Sequence, residues 1–146
     1  MTGAVTDEQV RAYLGALRDR GVDPIVIEAM NDETQTLILI ESLGYVLIAV
    51  SRETPGYWQL DRDTVDAVSQ RARNEEQAVF YALLIERRDG RGANGYILSD
   101  FSSSPLKRPL EIEGDQVIIQ EKRHLDSLRL ILSTEKQVEL LLRKRS

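Results

Sequence analysis

The 146 residues predict one α/β domain. It should hold a mixed central sheet of about five or more strands, with N-terminal, middle and C-terminal helices. Three observations carry this. Residues 36–40 and 45–50 are nearly continuous apolar runs, the mark of strands covered on both pleat faces. Amphipathic stripes at helical spacing stand near both ends of the chain. Short turn signals rich in Gly, Pro, Asn and Asp separate the remaining apolar segments.

Near the N-terminus, Thr6-Asp7-Glu8-Gln9 has the form of a capping box, with Thr6 as the cap. Val10, Tyr13, Leu14 and Leu17 then form one apolar helical stripe, and Gly21 can close that helix. Ile25-Val26-Ile27 is extended, and Asn31-Asp32-Glu33 turns the chain into the two apolar strands. Thr54-Pro55-Gly56 is a turn. Asp61 or Asp63 can cap a second helix that carries Val65, Val68 and Ala72 and stops near Asn74.

Residues 78–86 read as a further buried strand, with one long helix over 64–88 as the competing reading. Tyr96-Ile97-Leu98 is a strand after a Gly-rich turn. Residues 102–109 are a flexible loop around Ser102-Ser103-Ser104-Pro105. Leu110-Glu111-Ile112 and Val117-Ile118-Ile119 make a hairpin about Gly114-Asp115. Residues 124–132 are open between strand and helix. Thr134-Glu135-Lys136-Gln137 is a second capping box, leading a final helix with Val138, Leu141 and Leu142 in its stripe. Residues 1–146 form one domain without an internal repeat.

Composition sets exclusions. With no cysteine, disulfides, thiolate metal sites and cysteine nucleophiles are ruled out. The N-terminus lacks a cationic segment followed by an apolar run, and no apolar run has the length of a membrane span. The expectation is a soluble, cytoplasmic chain with no membrane partner. The formal net charge of −5 divides into −7 for residues 1–76 and +2 for residues 77–146. Such asymmetry is ordinary scatter or the footprint of a partner face.

Two motifs look chemical at first sight. Residues 90–95 spell G-x-G-x-x-G, but a dinucleotide site needs a helix to start there. The chain continues instead as Tyr96-Ile97-Leu98, so the glycines make a hairpin turn, with Gly90 and Gly95 as its positive-φ positions. His124 is the only histidine. No nucleophile elbow accompanies it, and it reads as a surface residue in a charged turn.

The order helix, three strands, helix, two strands resembles the core of restriction-endonuclease-like proteins, Holliday-junction resolvases among them. The resemblance covers about Val5 to Asp100, and its most suggestive stretches are Tyr57-Trp58-Gln59-Leu60-Asp61 and Phe80-Tyr81-Ala82-Leu83-Leu84. It implies Mg²⁺ held by an acidic residue and an Asp/Glu-x-Lys strand, with the lysine orienting water or phosphate. The corresponding strand here ends Ile48-Ala49-Val50-Ser51-Arg52, without carboxylate or lysine. Glu86-Arg87-Arg88 imitates the motif one strand later. Gln120-Glu121-Lys122, with Asp100 or Asp115 upstream, matches a rarer variant. Size and acidity are also similar to those of small dimeric secretion chaperones.

The expectation is therefore a non-enzymatic binding or assembly module, a complex subunit or homodimer, with no catalytic residue, metal or other cofactor. Its candidate basic partner surface comprises Arg87, Arg88, Arg91, Lys107, Arg108, Lys122 and Arg123. The first alternative is a metal-dependent nuclease acting on nucleic acid, or a catalytically degenerate relative. Its candidate cluster is Asp100, Asp115, Glu121 and Lys122, and only this reading brings Mg²⁺. The second alternative is a chaperone-like acidic dimer.

Overall fold

The computed structural model describes residues 7–30, 34–89, 92–99 and 111–144. The Asn31-Asp32-Glu33 turn and the 102–109 loop expected from the sequence lie outside them. Helix α1 (Glu8–Asp19) buries Val10, Tyr13, Leu14 and Leu17, the stripe its spacing predicts. Its cap is Asp7, not Thr6. The Asp7 carboxylate accepts from the amides of Gln9 at 3.0 Å and Val10 at 3.1 Å.

Strands β1 (Ile25–Met30), β2 (Gln35–Ile40) and β3 (Gly44–Ser51) form an antiparallel meander. Strand β4 (Tyr57–Asp61) leads into helix α2 (Arg62–Asn74), capped by Asp61 through the Asp63 amide at 3.1 Å. Residues 78–86 are strand β5 (Ala78–Glu86), parallel to β3, and strand β6 (Ala93–Ser99) returns antiparallel to it. Sheet order is β1-β2-β3-β5-β6, so the two apolar runs occupy its middle as expected.

The alternation of side chains explains why these strands are apolar throughout. Ile38, Val46, Ile48, Phe80 and Leu84 share one core with α1 and with helix α4 (Thr134–Leu142). Their neighbours Leu37, Tyr45, Leu47, Tyr81 and Leu83 share a second core on the opposite face. That second face is covered by α2 and by a separate three-stranded sheet. Its order is β4-β8-β7, where β7 is Glu111–Glu113 and β8 is Gln116–Gln120. The β7–β8 hairpin was legible in the sequence; the pairing of β8 with β4 was not. Trp58, buried on β4, donates its indole N–H to the Leu84 carbonyl at 3.2 Å and so ties the two sheets together.

Four further local expectations are corrected. Residues 125–132 are neither strand nor helix apart from one bridge between Ile131 and Gly95. Ser133, not Thr134, caps α4, accepting from the Lys136 amide at 3.2 Å. Gly95 does not turn the chain with positive φ; it lies inside β6. A Cβ there would meet the Leu83 carbonyl oxygen at 2.6 Å and the Gln137 amide oxygen at 2.8 Å, so close approach demands the glycine. His124 is fully buried at the end of the short helix α3 (Glu121–His124) instead of exposed, and its Nδ1 accepts from the Gln120 amide at 2.9 Å. Among the described residues no helix is long and apolar enough to cross a membrane.

Candidate functional site

Because β3 and β5 are parallel neighbours, their C-terminal ends open on the same edge of the sheet. Loops leaving such ends are free of the ladder, which makes this edge a natural place for a ligand cleft. Three polar groupings converge there.

The first holds the end of β3 to α1. Arg52 reaches the Asp7 carboxylate with one Nη and lies 3.7 Å from Glu86 Oε2 through Nε. Gln9 also donates to Glu86 Oε2, at 3.4 Å. The hydrogen bond with Asp7, more than any other influence, raises the Arg52 guanidinium above its ordinary value, so the cation is permanent.

The second is built on Glu121, the first residue of α3. Pairing of β8 with β4 sets Gln120 opposite Tyr57 and brings Glu121 beside the turn after β3. One carboxylate oxygen accepts from the Gly56 amide at 2.8 Å and the other from the Tyr96 hydroxyl at 2.7 Å. Burial, followed by this bond to Glu121, pushes the Tyr96 phenol well above its usual range, so it remains a donor. Glu121→Ala should therefore strand a buried phenol and an amide, costing roughly 1–3 kcal/mol. Denaturant midpoints test this. Tyr96→Phe added to Glu121→Ala should recover part of the loss, because no orphaned hydroxyl is then left.

The third grouping is the segment leaving β5. Glu86, Arg87, Arg88 and Asp89 line a cleft of about 440 Å³ together with Glu121. Ile85, Leu130, Thr54 and Asn94 complete its wall. Arg87 is paired with Asp89 at 2.9 Å. Arg88 is exposed and forms no ion pair among the described residues, nor does Lys122, the neighbour of Glu121. The cleft thus mixes carboxylates with a guanidinium that forms no ion pair among the described residues.

The sequence-predicted residues fall out unevenly. Of the basic surface, Arg87 and Arg88 enter the cleft, and Lys122 and Arg123 are exposed on α3. Arg91, Lys107 and Arg108 lie outside the described residues, as does Asp100 of the proposed acidic cluster. Glu121 and Asp115 are not neighbours. They stand at opposite ends of β8, roughly 20 Å apart along the strand. Glu86, Arg52 and Asp7 meet at one edge although no linear motif joins them.

No family model matches the chain, and no curated protein does. Among solved structures, the chain is similar in fold to a Holliday junction resolvase. That protein comes from the archaeal hyperthermophile Archaeoglobus fulgidus and superposes with a TM-score of 0.49 at 16% identity, over 89% of this chain and 97% of that one. This likeness is of the kind the sequence resemblance named, and the chain lacks an intact Asp/Glu-x-Lys strand. Two expectations are corrected by this neighbour. The non-enzymatic module gives way to the nucleic-acid-processing reading. The expectation of no cofactor is corrected with it.

Among the described residues no three His, Asp or Glu side chains gather as a ligand set. Mg²⁺ is, however, commonly held by one or two carboxylates plus substrate phosphates, not by an all-protein cage. Glu86 and Glu121 line the same cleft, Glu86 beside Gln9 and Arg52 and Glu121 accepting from Gly56 and Tyr96.

Proposed function

We propose that this chain is a nucleic-acid-processing protein whose phosphate seat is the cleft at the C-terminal ends of β3 and β5. The observation that carries the reading is the joint lining of that cleft by Arg87, Arg88, Glu86 and Glu121. A phosphodiester needs cations for its charge, and Arg88 forms no ion pair among the described residues. A divalent ion arriving with the phosphate would be held by Glu86 and Glu121 and would supply charge neutralisation at the phosphoryl oxygens. Arg88 would bind and orient the phosphate, and Gln9 and Arg52 would fix the Glu86 carboxylate.

One observation favours a second version, a catalytically degenerate relative that binds nucleic acid and does not cut it. The cation already beside Glu86 is Arg52, and the strand it follows has neither carboxylate nor lysine.

A labelled four-way junction, a single strand and a duplex, each with EDTA, Mg²⁺ or Mn²⁺, test both versions. Binding in EDTA is expected, weakened about tenfold for every substrate by Arg88→Glu. The slope of log affinity against log salt should fall by about one. Metal-dependent cleavage lost in Glu121→Gln supports the nuclease. Binding without cleavage supports the degenerate relative. No binding to any of the three defeats the proposal.

A further inference from the structure

We infer that the cleft receives a single unpaired nucleotide, base included, and not merely the backbone of a duplex. This rests on the phosphate-seat reading and extends it to substrate class. A phosphodiester on a duplex is met by exposed cations on a convex or flat surface and requires no cavity. Here the volume of about 440 Å³ falls in the range of sites that enclose a small molecule. The uncharged residues of the lining also have no use in a phosphate contact. Ile85 is buried, Leu130 is partly buried against the core, and Asn94, likewise partly buried, carries a carboxamide.

An apolar floor suits the face of a base. The Asn94 amide offers a donor and an acceptor, which suits a base edge. Arg88, placed in the same cleft, can meet the phosphate or stack its planar guanidinium on the base. A base within a duplex is stacked and paired, so it reaches such a cleft only when it is extrahelical, mismatched or single-stranded. Unstacking costs least for those forms. The combination of phosphate cation, apolar floor and amide in one concavity therefore selects unpaired nucleotides, such as those at a bulge, a branch point or a strand end.

The test uses the full chain in EDTA, so that cleavage cannot intrude. Fluorescence anisotropy is read with a perfect duplex, the same duplex carrying a one-nucleotide bulge, and its single strand. The bulged duplex and the single strand should bind at least about tenfold more tightly than the perfect duplex. Asn94→Ala and Leu130→Ala should remove most of that difference, by weakening the bulged duplex and the single strand more than the perfect duplex. Arg88→Glu should weaken all three. Both residues in the selective variants are partly exposed, and unchanged melting temperatures will show that the fold is intact. Equal affinity for the three nucleic acids overturns the inference and leaves the phosphate seat standing. Failure of all three to bind overturns both.

Discussion

Replacing Gly44 by alanine is expected to destabilise the protein by roughly 3 kcal/mol or more, a loss near the top of what single substitutions produce. Two causes act together. Gly44 has φ +136°, a region that side chains rarely enter. A Cβ there would overlap the Ala78 carbonyl oxygen and stand 2.9 Å from the Ala78 amide nitrogen. These are backbone atoms of the paired strand, so no rotamer change relieves the clash. The pairing Gly44↔Ala78 opens the central β3–β5 ladder, and moving it would disturb every later register through Ser51↔Ile85. Urea denaturation should show a lowered midpoint, and melting should fall by about 10 °C. A change below about 1 kcal/mol would mean that the two strands do not meet in this register.

Leu141→Ala should cost roughly 2–5 kcal/mol, the range for a fully buried leucine whose site cannot collapse. Helix α4 packs on α1 and β6, and Leu141 belongs to the same core as Tyr13, Leu14 and Leu17. Its side chain has no exposed surface. Leu140, one position earlier, is only half-buried, and Leu140→Ala should cost about 1 kcal/mol or less, since little apolar area leaves the interior. Equal losses at both positions would contradict the inward face assigned to α4, and no loss at Leu141 would detach the helix from the core.

Much of the site's foundation is local and therefore legible. The identities Glu86-Arg87-Arg88 at the end of an apolar run mark a strand emerging into solvent with charged residues at its tip. Glu121 and Lys122 stand out as a carboxylate and a cation after Val117-Ile118-Ile119. No local signal joins the two segments. Their convergence comes from β4 pairing with β8 and from β5 lying parallel to β3, both long-range events. The expected partnership of Glu121 with Asp115 failed for the same reason: a hairpin strand separates the two residues that the linear spacing had put together.

By itself the sequence determined helices α1, α2 and α4, the stripes they carry and strands β1, β2, β3 and β6, because each obeys a period set by backbone geometry within a few residues. That 78–86 is strand β5 and not part of a long helix was decided by the structure. The sequence also determined what chemistry is excluded, since a chain without cysteine has no thiolate to offer. Only tertiary structure decided that the apolar runs divide between two cores and that β4, β8 and β7 form a second sheet. It also decided that His124 is buried and that Arg52 bridges Asp7 and Glu86. The reason is physical. Side-chain periodicity specifies which faces must be covered, but many segments could satisfy that demand. The choice is made by shape, register and charge between residues that are distant in the chain.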